Sequence, residues 1–348
     1  MNLGWQNFRK YVKYYSTLKR TNNRVAFGDY QQSEERKEGE KVSKIRVIIN
    51  PNAQSYSTSI ESRLFGFLTE EGLDFELVKT TGPGHATDLA KAAVGDGIEV
   101  VIAVGGNGTC NEAINGLMQA SANGMAGTLG IIPVGCGNEF ARAVGIPLTL
   151  KEACHKLAHG QVKLLDVGRV TLPNGQTRFF GNTVGIGFDG RIALDAETTR
   201  WFRGTLMSTW MTIKAVAVYN QAPVMNVSYN GQIIEQPMLM VVIGNGQCEA
   251  SVFQVTPWAK LDDGLFDLLL VPEVSRLQLL RLIPSFKKGT QAVNGTRVVD
   301  NPIVLARTPK VQVSSEAELI AHIDGDSLCT DAHQLKFDIF PQSLKVLC

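Results

Sequence analysis

A cluster of glycines between two regular segments has the clearest chemical potential in this 348-residue chain. Residues 100–104 are a mostly β-branched apolar run, which is typical of a buried parallel strand. Gly105, Gly106 and Gly108 follow, and helical spacing resumes at Ala113. A strand, a glycine turn and a helix place backbone N–H groups where they can bind an anion at the helix N-terminus. The stretch therefore predicts a phosphate site, with an ordinary tight turn as the alternative.

Three further turns rich in glycine or proline come directly after apolar runs in the same half of the chain. They follow Ile49, Val78 and Val134, and the segments between the runs have helical spacing. Strands that alternate with helices indicate an α/β fold with a Rossmann-like parallel sheet, whose ligands bind at the carboxyl ends of the strands. The joint placement of the four turns favours a phosphate site over an ordinary turn. The predicted helices lie at about 57–71, 86–94, from the glycines to about 120, and from 139 to 144.

Residues after about 163 follow a different pattern. Short apolar runs alternate with turn signals, and Asn174-Gly175 and Asn230-Gly231 are hairpin dipeptides. Many short strands joined by hairpins indicate an antiparallel β-sandwich, with helices at about 204–220 and 275–287. We therefore predict four segments. They are an N-terminal extension at residues 1–43, a phosphate-binding α/β domain at 44–163, a β-sandwich domain at 164–330, and a C-terminal segment at 331–348 that is a candidate to rejoin the first domain.

The N-terminal extension is basic and amphipathic. Residues 1–24 contain six basic side chains and no acidic one, with aromatic and aliphatic residues at helical spacing. Such a helix can lie on an anionic membrane surface. A helix docked on the protein body and an organelle presequence are the two other interpretations. Residues 30–44 are rich in charged and polar residues and indicate a solvated linker.

Composition excludes several classes of protein. The net charge of +1 gives no sign of a nucleic-acid partner. Six cysteines without a Cys-x-x-Cys pair argue against a disulfide framework or a zinc site and indicate a reducing compartment, and the five histidines suggest no metal spacing. No apolar run reaches about 18 residues, so we predict no transmembrane helix. The expected location is cytoplasmic, with peripheral membrane association or organelle targeting through residues 1–24 as alternatives.

Two common nucleotide motifs are missing from the sequence. There is no G-x-x-x-x-G-K-[ST] stretch, and Asn111 stands where G-x-G-x-x-G needs its third glycine. Six other segments nevertheless resemble, in order along residues 44–345, the motifs of the diacylglycerol kinase-like lipid kinases, which include bacterial diacylglycerol kinases and sphingosine and ceramide kinases. They are Asn50-Pro51, 105–116 (the family's G-G-D-G-T-x-N-E-x-x-N-G), 133–142 (P-x-G-T-x-N-D-F-A-R), 182–189, 257–264 and 324–326 (D-G-E).

The resemblance implies ATP-dependent phosphorylation of a hydroxyl on diacylglycerol or a sphingoid-type lipid, with the nucleotide between the two domains. It implies that Asp324 is the general base that accepts the hydroxyl proton. It also implies a structural Mg²⁺ held by the Asp263 side chain and the carbonyl groups of Lys260 and Leu265. The residues that the resemblance assigns to the nucleotide are Asn50, Thr80, Gly105, Gly106, Asn107, Gly108, Thr109, Asn111, Glu112, Cys136 and Asp326.

Three of these positions depart from the family motifs. Asn107 replaces an aspartate and lacks its negative charge, Cys136 replaces a threonine, and Asp326 replaces a glutamate. The loss of a carboxylate near phosphates weakens the attraction for Mg²⁺. A pseudokinase-like module that binds lipid or nucleotide is therefore an alternative hypothesis, and a kinase for a soluble substrate such as NAD is a third. The expected partners are a lipid, a membrane surface and, as an alternative to a monomer, a second copy of the chain.

Overall fold

A computed structural model describes the chain in five stretches: residues 45–121, 127–198, 222–249, 252–291 and 303–348. The predictions for the extension at 1–43 and for a helix at 204–220 lie outside these residues. Within the described residues, no helix is both long and apolar enough to cross a membrane.

The first half alternates strands with helices. Its elements are β1 (Ile45–Ile49), α1 (Thr58–Glu70), β2 (Phe75–Lys79), α2 (His85–Gly95), β3 (Val100–Gly105), α3 (Asn107–Ala120), β4 (Thr128–Pro133), α4 (Glu139–Ala143) and α5 (Leu150–His159). The strands lie in the order β4-β3-β1-β2, and each of these pairings has a parallel register. Helix α5 has no counterpart among the predicted elements.

The central strands of this sheet are apolar because both faces are covered. The side chains of Val47, Ile102 and Ile131, on three neighbouring strands, are at most 1% exposed. Leu64 and Leu68 of α1 belong to the same apolar core. A sheet buried on both faces requires continuous apolar runs, which is why these strands could be recognised in the sequence.

The second half is rich in strands. Its elements are β5 (Val162–Thr171), β6 (Thr177–Phe180), β7 (Thr183–Gly187), α6 (Phe188–Thr198), β8 (Val224–Tyr229), β9 (Gln232–Gly244), β10 (Phe266–Pro272), α7 (Arg276–Lys288), β11 (Val304–Thr308), β12 (Lys310–Ile323) and β13 (Asp326–Leu347). The strand pairings within this half are antiparallel. The α/β class with a strand-rich C-terminal half agrees with the prediction.

Strand β13 connects the two halves. It pairs antiparallel with β5 and β12, and its end pairs parallel with β4 through Lys345 and Thr128 and through Val346 and Leu129. The described strands therefore form one hydrogen-bonded sheet. The last strand thus returns to the parallel sheet of the first half.

Candidate active site

The glycine turn brings two backbone segments into contact. Gly105 ends β3, and Gly106 is the N-cap of α3 with no side chain to occupy the first N–H groups of the helix. A β-carbon on Gly135, which follows β4, would overlap the α-carbon of Gly106. Only glycines allow this approach, so the loops after β3 and β4 form a joint surface of backbone N–H groups. Such a surface at a helix N-terminus suits a phosphate.

The loop after β4 is locked by its own side chain. Asn138 has a left-handed backbone (φ 55°), accepts a hydrogen bond at Oδ1 from the Gly135 N–H at 3.1 Å and donates from Nδ2 to the Gly135 carbonyl at 2.9 Å. Cys136 lies inside this loop with an exposed thiol. The two hydrogen bonds of Asn138 therefore fix the backbone that carries Cys136, which is predicted to contact a nucleotide.

Asn50 and Thr109 join the end of β1 to the first turn of α3. The Asn50 side chain donates from Nδ2 to Oγ1 of Thr109 at 3.0 Å and accepts the Asn52 N–H at 2.9 Å. Thr80 is buried at the end of β2, and its N–H donates to the Ile49 carbonyl. These residues stand at the carboxyl ends of neighbouring parallel strands, as predicted.

Glu112 organises the turn before α2. Its carboxylate accepts the Gly84 N–H at 2.8 Å and the Ala86 N–H at 3.0 Å. Negative charge at a helix N-terminus is favourable, and these bonds occupy N–H groups that α2 would leave unpaired. We assign Glu112 to shaping the wall of the site, since its two oxygens are already bound to backbone.

A cleft of about 820 Å³ lies where the turns after β1 and β2 and the first turns of α3 meet the second half of the chain, and its lining does not include Gly105, Gly106 or Cys136. Thr80, Gly108, Thr109 and Asn111 line one side, and Arg178 and Asp326 line the other. The volume lies in the range of pockets that hold small ligands. Asn50 and Glu112 also line the cleft, so six of the residues predicted to bind nucleotide share it with Asp326.

Asp324 is buried beneath the cleft and does not line it. Its Oδ1 accepts the N–H groups of Asn182 and Thr183 at 2.9 and 3.0 Å, and its Oδ2 accepts Asn111 Nδ2 at 2.8 Å and the Gly181 N–H at 3.0 Å. Burial raises the pKa of Asp324, although the four donors favour the charged form.

The prediction that Asp324 is the general base does not fit this geometry. Both of its oxygens are saturated by donors that hold the 181–183 segment, and only 6% of the residue is exposed. A general base needs an oxygen within hydrogen-bond reach of the proton that it removes. The hydrogen bonds of Asp324 instead join the 181–183 segment to Asn111.

Asp326 is the carboxylate that reaches the cleft. A β-carbon built on Gly108 would lie 2.7 Å from its Oδ2, so the carboxylate lies against the first turn of α3. The side chain is partly exposed and lines the cleft. The glycine at 108 is needed because any larger residue would displace this carboxylate.

Arg178 is a cleft residue that sequence reasoning missed. Its Nη2 donates to Oδ1 of Asn111 at 3.1 Å, and its Nη1 lies 3.4 Å from the Ser327 carbonyl. It comes from the short strand β6, far from the glycine turns in sequence, and no motif surrounds it. Its guanidinium places a permanent positive charge in the cleft that Asp326 also lines.

Comparison with known proteins assigns both halves of the chain. Residues 44–170 match the diacylglycerol kinase catalytic domain, and residues 182–348 match the YegS C-terminal NAD kinase beta sandwich-like domain. The chain belongs to the diacylglycerol kinase-like lipid kinase family. The two matches place the glycine turns in the first family domain and Asp324 and Asp326 in the second.

Relatives of this family align along most of the chain. The diacylglycerol kinase of Bacillus subtilis is 26% identical over 289 residues, which are 82% of this chain and 90% of that protein. The diacylglycerol kinase of Mycobacterium tuberculosis is 26% identical over 311 residues, with 88% and 95% of the two chains covered. A crystal structure of a Bacillus anthracis diacylglycerol kinase has a TM-score of 0.65 at 24% identity, covering 88% and 97% of the two chains, and shares the fold.

Asn107 differs from the aspartate of the family motif and is partly withdrawn from the cleft. Its Oδ1 is buried and accepts no hydrogen bond from the described residues. A buried acceptor without a partner costs free energy, typically about 1–3 kcal/mol. A hydrogen-bond donor or a cation beside this oxygen would therefore be favourable. The neutral amide attracts a cation less strongly than the carboxylate of the family motif would.

The predicted magnesium set was Asp263, Lys260 and Leu265. The Asp263 carboxylate forms an ion pair with Arg307 through Oδ2 and accepts the Leu265 N–H at 3.2 Å through Oδ1. Arg307 also lies 3.4 Å from Oδ2 of Asp267. Because the charge of Asp263 is balanced by a guanidinium, these residues as arranged do not fit a resident Mg²⁺, and an ion would first have to displace Arg307.

A buried ionisable cluster lies next to Asp324. His322 Nε2 is 2.9 Å from Oδ2 of Asp189 and 3.6 Å from Oε1 of Glu249. Burial alone would lower the pKa of His322, but the charges of Asp189 and Glu249 hold it well above its usual value. Burial, together with the charge of Asp189, raises the pKa of Glu249 to about 7. Asp189 ends the segment 182–189 that resembles a family motif. Nothing in the sequence linked Asp189 to Glu249 and His322.

Proposed function

We propose that this chain transfers the γ-phosphoryl group of ATP to a hydroxyl of a lipid of the diacylglycerol or sphingoid class, with Asp326 as general base. The observation that carries the proposal is the position of the Asp326 carboxylate, which lies in the cleft against the first turn of α3. The proposed base thus contacts Gly108, in the first turn of the helix whose N-terminus would bind phosphate.

The glycine turns would hold the nucleotide phosphates. The N–H groups at the start of α3 and in the loop at Gly135 supply fixed dipoles, which stabilise negative charge without reorganisation during the reaction. ATP is a substrate that carries its own Mg²⁺ on the phosphate oxygens. No side chain of the Asp263 loop is needed for this role.

The reaction then follows from the facing groups. The lipid hydroxyl oxygen forms a bond to the γ-phosphorus while the bond to the β–γ bridging oxygen breaks, and ADP leaves with that electron pair. Asp326 accepts the hydroxyl proton, and Arg178 offsets the charge on the equatorial oxygens. Asp324 and Asn111 hold the strands that carry these two side chains.

The test is transfer from γ-labelled ATP with Mg²⁺ by the full chain, using mixed micelles that contain diacylglycerol, a sphingoid base or ceramide, and NAD as a soluble acceptor. We expect labelled product from at least one lipid and none from NAD. Loss of a general acid–base group typically costs about 10²–10⁴ in rate, so Asp326→Asn should lose nearly all transfer. Absence of product with every lipid would contradict the proposal.

Asn107 supports a second candidate function, a pseudokinase-like module that binds lipid or nucleotide without transfer. Its buried, unpartnered Oδ1 stands where the family has a carboxylate. The substitution Asn107→Asp separates the two functions. A large gain in transfer by the folded variant would favour the pseudokinase, whereas unchanged transfer, which we expect, favours an enzyme adapted to asparagine.

We also propose that residues 1–24 contact the bilayer that holds the lipid substrate. Their six basic side chains and absence of acidic ones suit an anionic surface, where each basic residue contributes about 1 kcal/mol. Deletion of residues 1–24 should weaken cosedimentation with phosphatidylserine vesicles and leave binding to neutral vesicles nearly unchanged. Equal binding of both proteins to anionic vesicles would contradict this part of the proposal.

A further inference from the structure

A second group of potential metal ligands lies away from the cleft, on the outer side of the first half. Glu71 is the C-cap of α1, and His155 and His159 lie in the last two turns of α5. His155 Nδ1 is 3.1 Å from Oε1 of Glu71, and His159 Nε2 is 2.9 Å from Oε2. One carboxylate thus receives two imidazole nitrogens from a neighbouring helix.

The three side chains converge on one point. Histidines four residues apart share a helix face, and their ring centroids are 4.4 Å apart. One donor atom from each of the three residues lies within 4.8 Å of the others. Bonds of about 2.0–2.2 Å from a tetrahedral metal to nitrogen and oxygen place its ligand atoms a little over 3 Å apart. The two nitrogen–carboxylate distances of 3.1 and 2.9 Å lie near this value.

The local electrostatics favour a cation. The carboxyl ends of α1 and α5 both face this place, and each carries the negative end of a helix dipole. No basic residue occupies the last turn of α1, whereas Lys156 shares the last turn of α5 with His159.

The donor set selects the kind of metal. Two imidazoles and one carboxylate suit zinc, whereas Mg²⁺ prefers oxygen ligands alone. The imidazole side chains are 64% and 60% exposed, which leaves a fourth position open to water. Cys154 is adjacent in sequence but fully buried, and burial raises the pKa of its thiol to about 12, so it supplies no thiolate ligand.

We propose that Glu71, His155 and His159 form a zinc site that joins the carboxyl end of α1 to α5. The spacing of the histidines gave no sign of this site because its third ligand, Glu71, lies 84 residues before His155. Zinc binds each nitrogen lone pair while the ring proton resides on the other nitrogen. The ion replaces two hydrogen bonds with two coordinate bonds and stabilises the packing of the two helices.

The test is equilibrium dialysis of the metal-free full chain against Zn²⁺ at pH 7.5, with Mg²⁺ as the comparison ion. The wild-type chain should bind one more zinc ion than His155→Gln/His159→Gln, and each single substitution should weaken that site at least about tenfold. Both imidazoles are exposed, so the variants should fold normally. His333→Gln, which removes another exposed histidine, is the matched control and should bind like wild type.

Thermal unfolding gives a second measurement that is independent of phosphoryl transfer. Zinc should raise the melting temperature of wild type and of the His333→Gln control and should leave the double variant unchanged, because a ligand that binds only the folded state stabilises it. Equal zinc stoichiometry and affinity in wild type and the double variant would overturn the proposal, as would equal binding of Mg²⁺. Neither result bears on the proposed kinase activity.

Discussion

Asn111 donates a hydrogen bond of 2.8 Å from Nδ2 to Oδ2 of Asp324, across 213 positions of sequence. Its Nδ2 also reaches the Phe179 carbonyl at 2.9 Å, and its Oδ1 accepts from Arg178. One buried amide therefore fixes α3, which carries the glycine turn, to β6 and to the turn that carries both aspartates. Through this amide, the glycine turn before α3 and Asp326, the proposed base, are held at a fixed separation.

The substitution Asn111→Asp should test that connection. It replaces a donor by a second carboxylate beside Asp324, in a place where both residues are at least nine-tenths buried. We expect a loss of about 3–5 kcal/mol in the free energy of unfolding, measured by urea denaturation. Asn174→Asp is the control, since Asn174 is exposed and uses its side-chain oxygen as an acceptor, and it should change stability by less than about 0.5 kcal/mol. Similar effects of the two substitutions would contradict the role of Asn111.

The two aspartates should separate stability from activity. Asp324→Asn places an NH₂ group against N–H donors and leaves buried hydrogen bonds unmade, so it should lower the free energy of unfolding by about 2–4 kcal/mol. Asp326→Asn should lose transfer, with nucleotide binding retained. The measurements are urea midpoints, ATP affinity and turnover. If Asp324→Asn were as stable as wild type yet inactive, Asp324 would be the base after all.

The sequence predicted those parts of the site that are formed by residues close together in the chain, namely the glycine turns. The glycines at 105, 106 and 135 were recognisable because a strand, a tight turn and a helix leave a signature within about ten residues. The choice between Asp324 and Asp326 was not, because it depends on N–H groups at 181–183 that reach one carboxylate and not the other.

Two elements were missed or shortened for different reasons. Helix α5 has Leu150, Ala153, Cys154 and Leu157 at helical spacing, so its pattern was present in the sequence and was overlooked. Short apolar runs predicted only short strands in the second half, whereas strand β13 runs from Asp326 to Leu347. Its length comes from pairing with β12, β5 and β4, and no local propensity reports partners so distant in sequence.

Gly135→Ala should separate the two phosphate loops. Its β-carbon would overlap the α-carbon of Gly106, so one of the backbones must move, at a cost of about 1–3 kcal/mol. We expect a lower melting temperature and weaker ATP binding by isothermal titration calorimetry. Gly82→Ala is the control, because Gly82 lines the cleft and has open space around its β-carbon position. Weakened ATP binding in both variants would show that close approach of the loops is not the cause.

Arg307 and Mg²⁺ should compete for Asp263. In the wild-type chain the guanidinium already pairs with this carboxylate, so added Mg²⁺ should change the melting temperature little. Arg307→Gln leaves Asp263 and Asp267 without their cation, and like charges at short range attract a divalent ion. The variant should be less stable without Mg²⁺ and should recover stability on its addition, measured by thermal unfolding without nucleotide. A Mg²⁺-dependent rise of equal size in wild type would show that the ion binds beside Arg307.

The buried cluster of Asp189, Glu249 and His322 should make stability fall as pH rises. The folded-state pKa of Glu249, about 7, lies above its ordinary value of 4.5, so the folded chain holds a proton that the unfolded chain has lost between these pH values. Stability then decreases with pH across that window, by up to about 1.4 kcal/mol per pH unit for one proton. The raised pKa of His322 extends the loss upward from pH 6.5, since its stabilising charge disappears as the folded-state group titrates.

Glu249→Gln isolates the lower part of this window. The amide has the shape and neutral charge of the protonated acid, so the variant should match wild type near pH 5, lose the slope between pH 5 and 6, and be more stable than wild type above pH 7. Urea midpoints measured from pH 5 to 9 at constant ionic strength report the difference. Glu70→Gln, on the exposed face of α1, should follow the wild-type curve throughout. A wild-type slope between pH 5 and 6 that survives in Glu249→Gln would place the bound proton on another group, because His322 contributes mainly above that range.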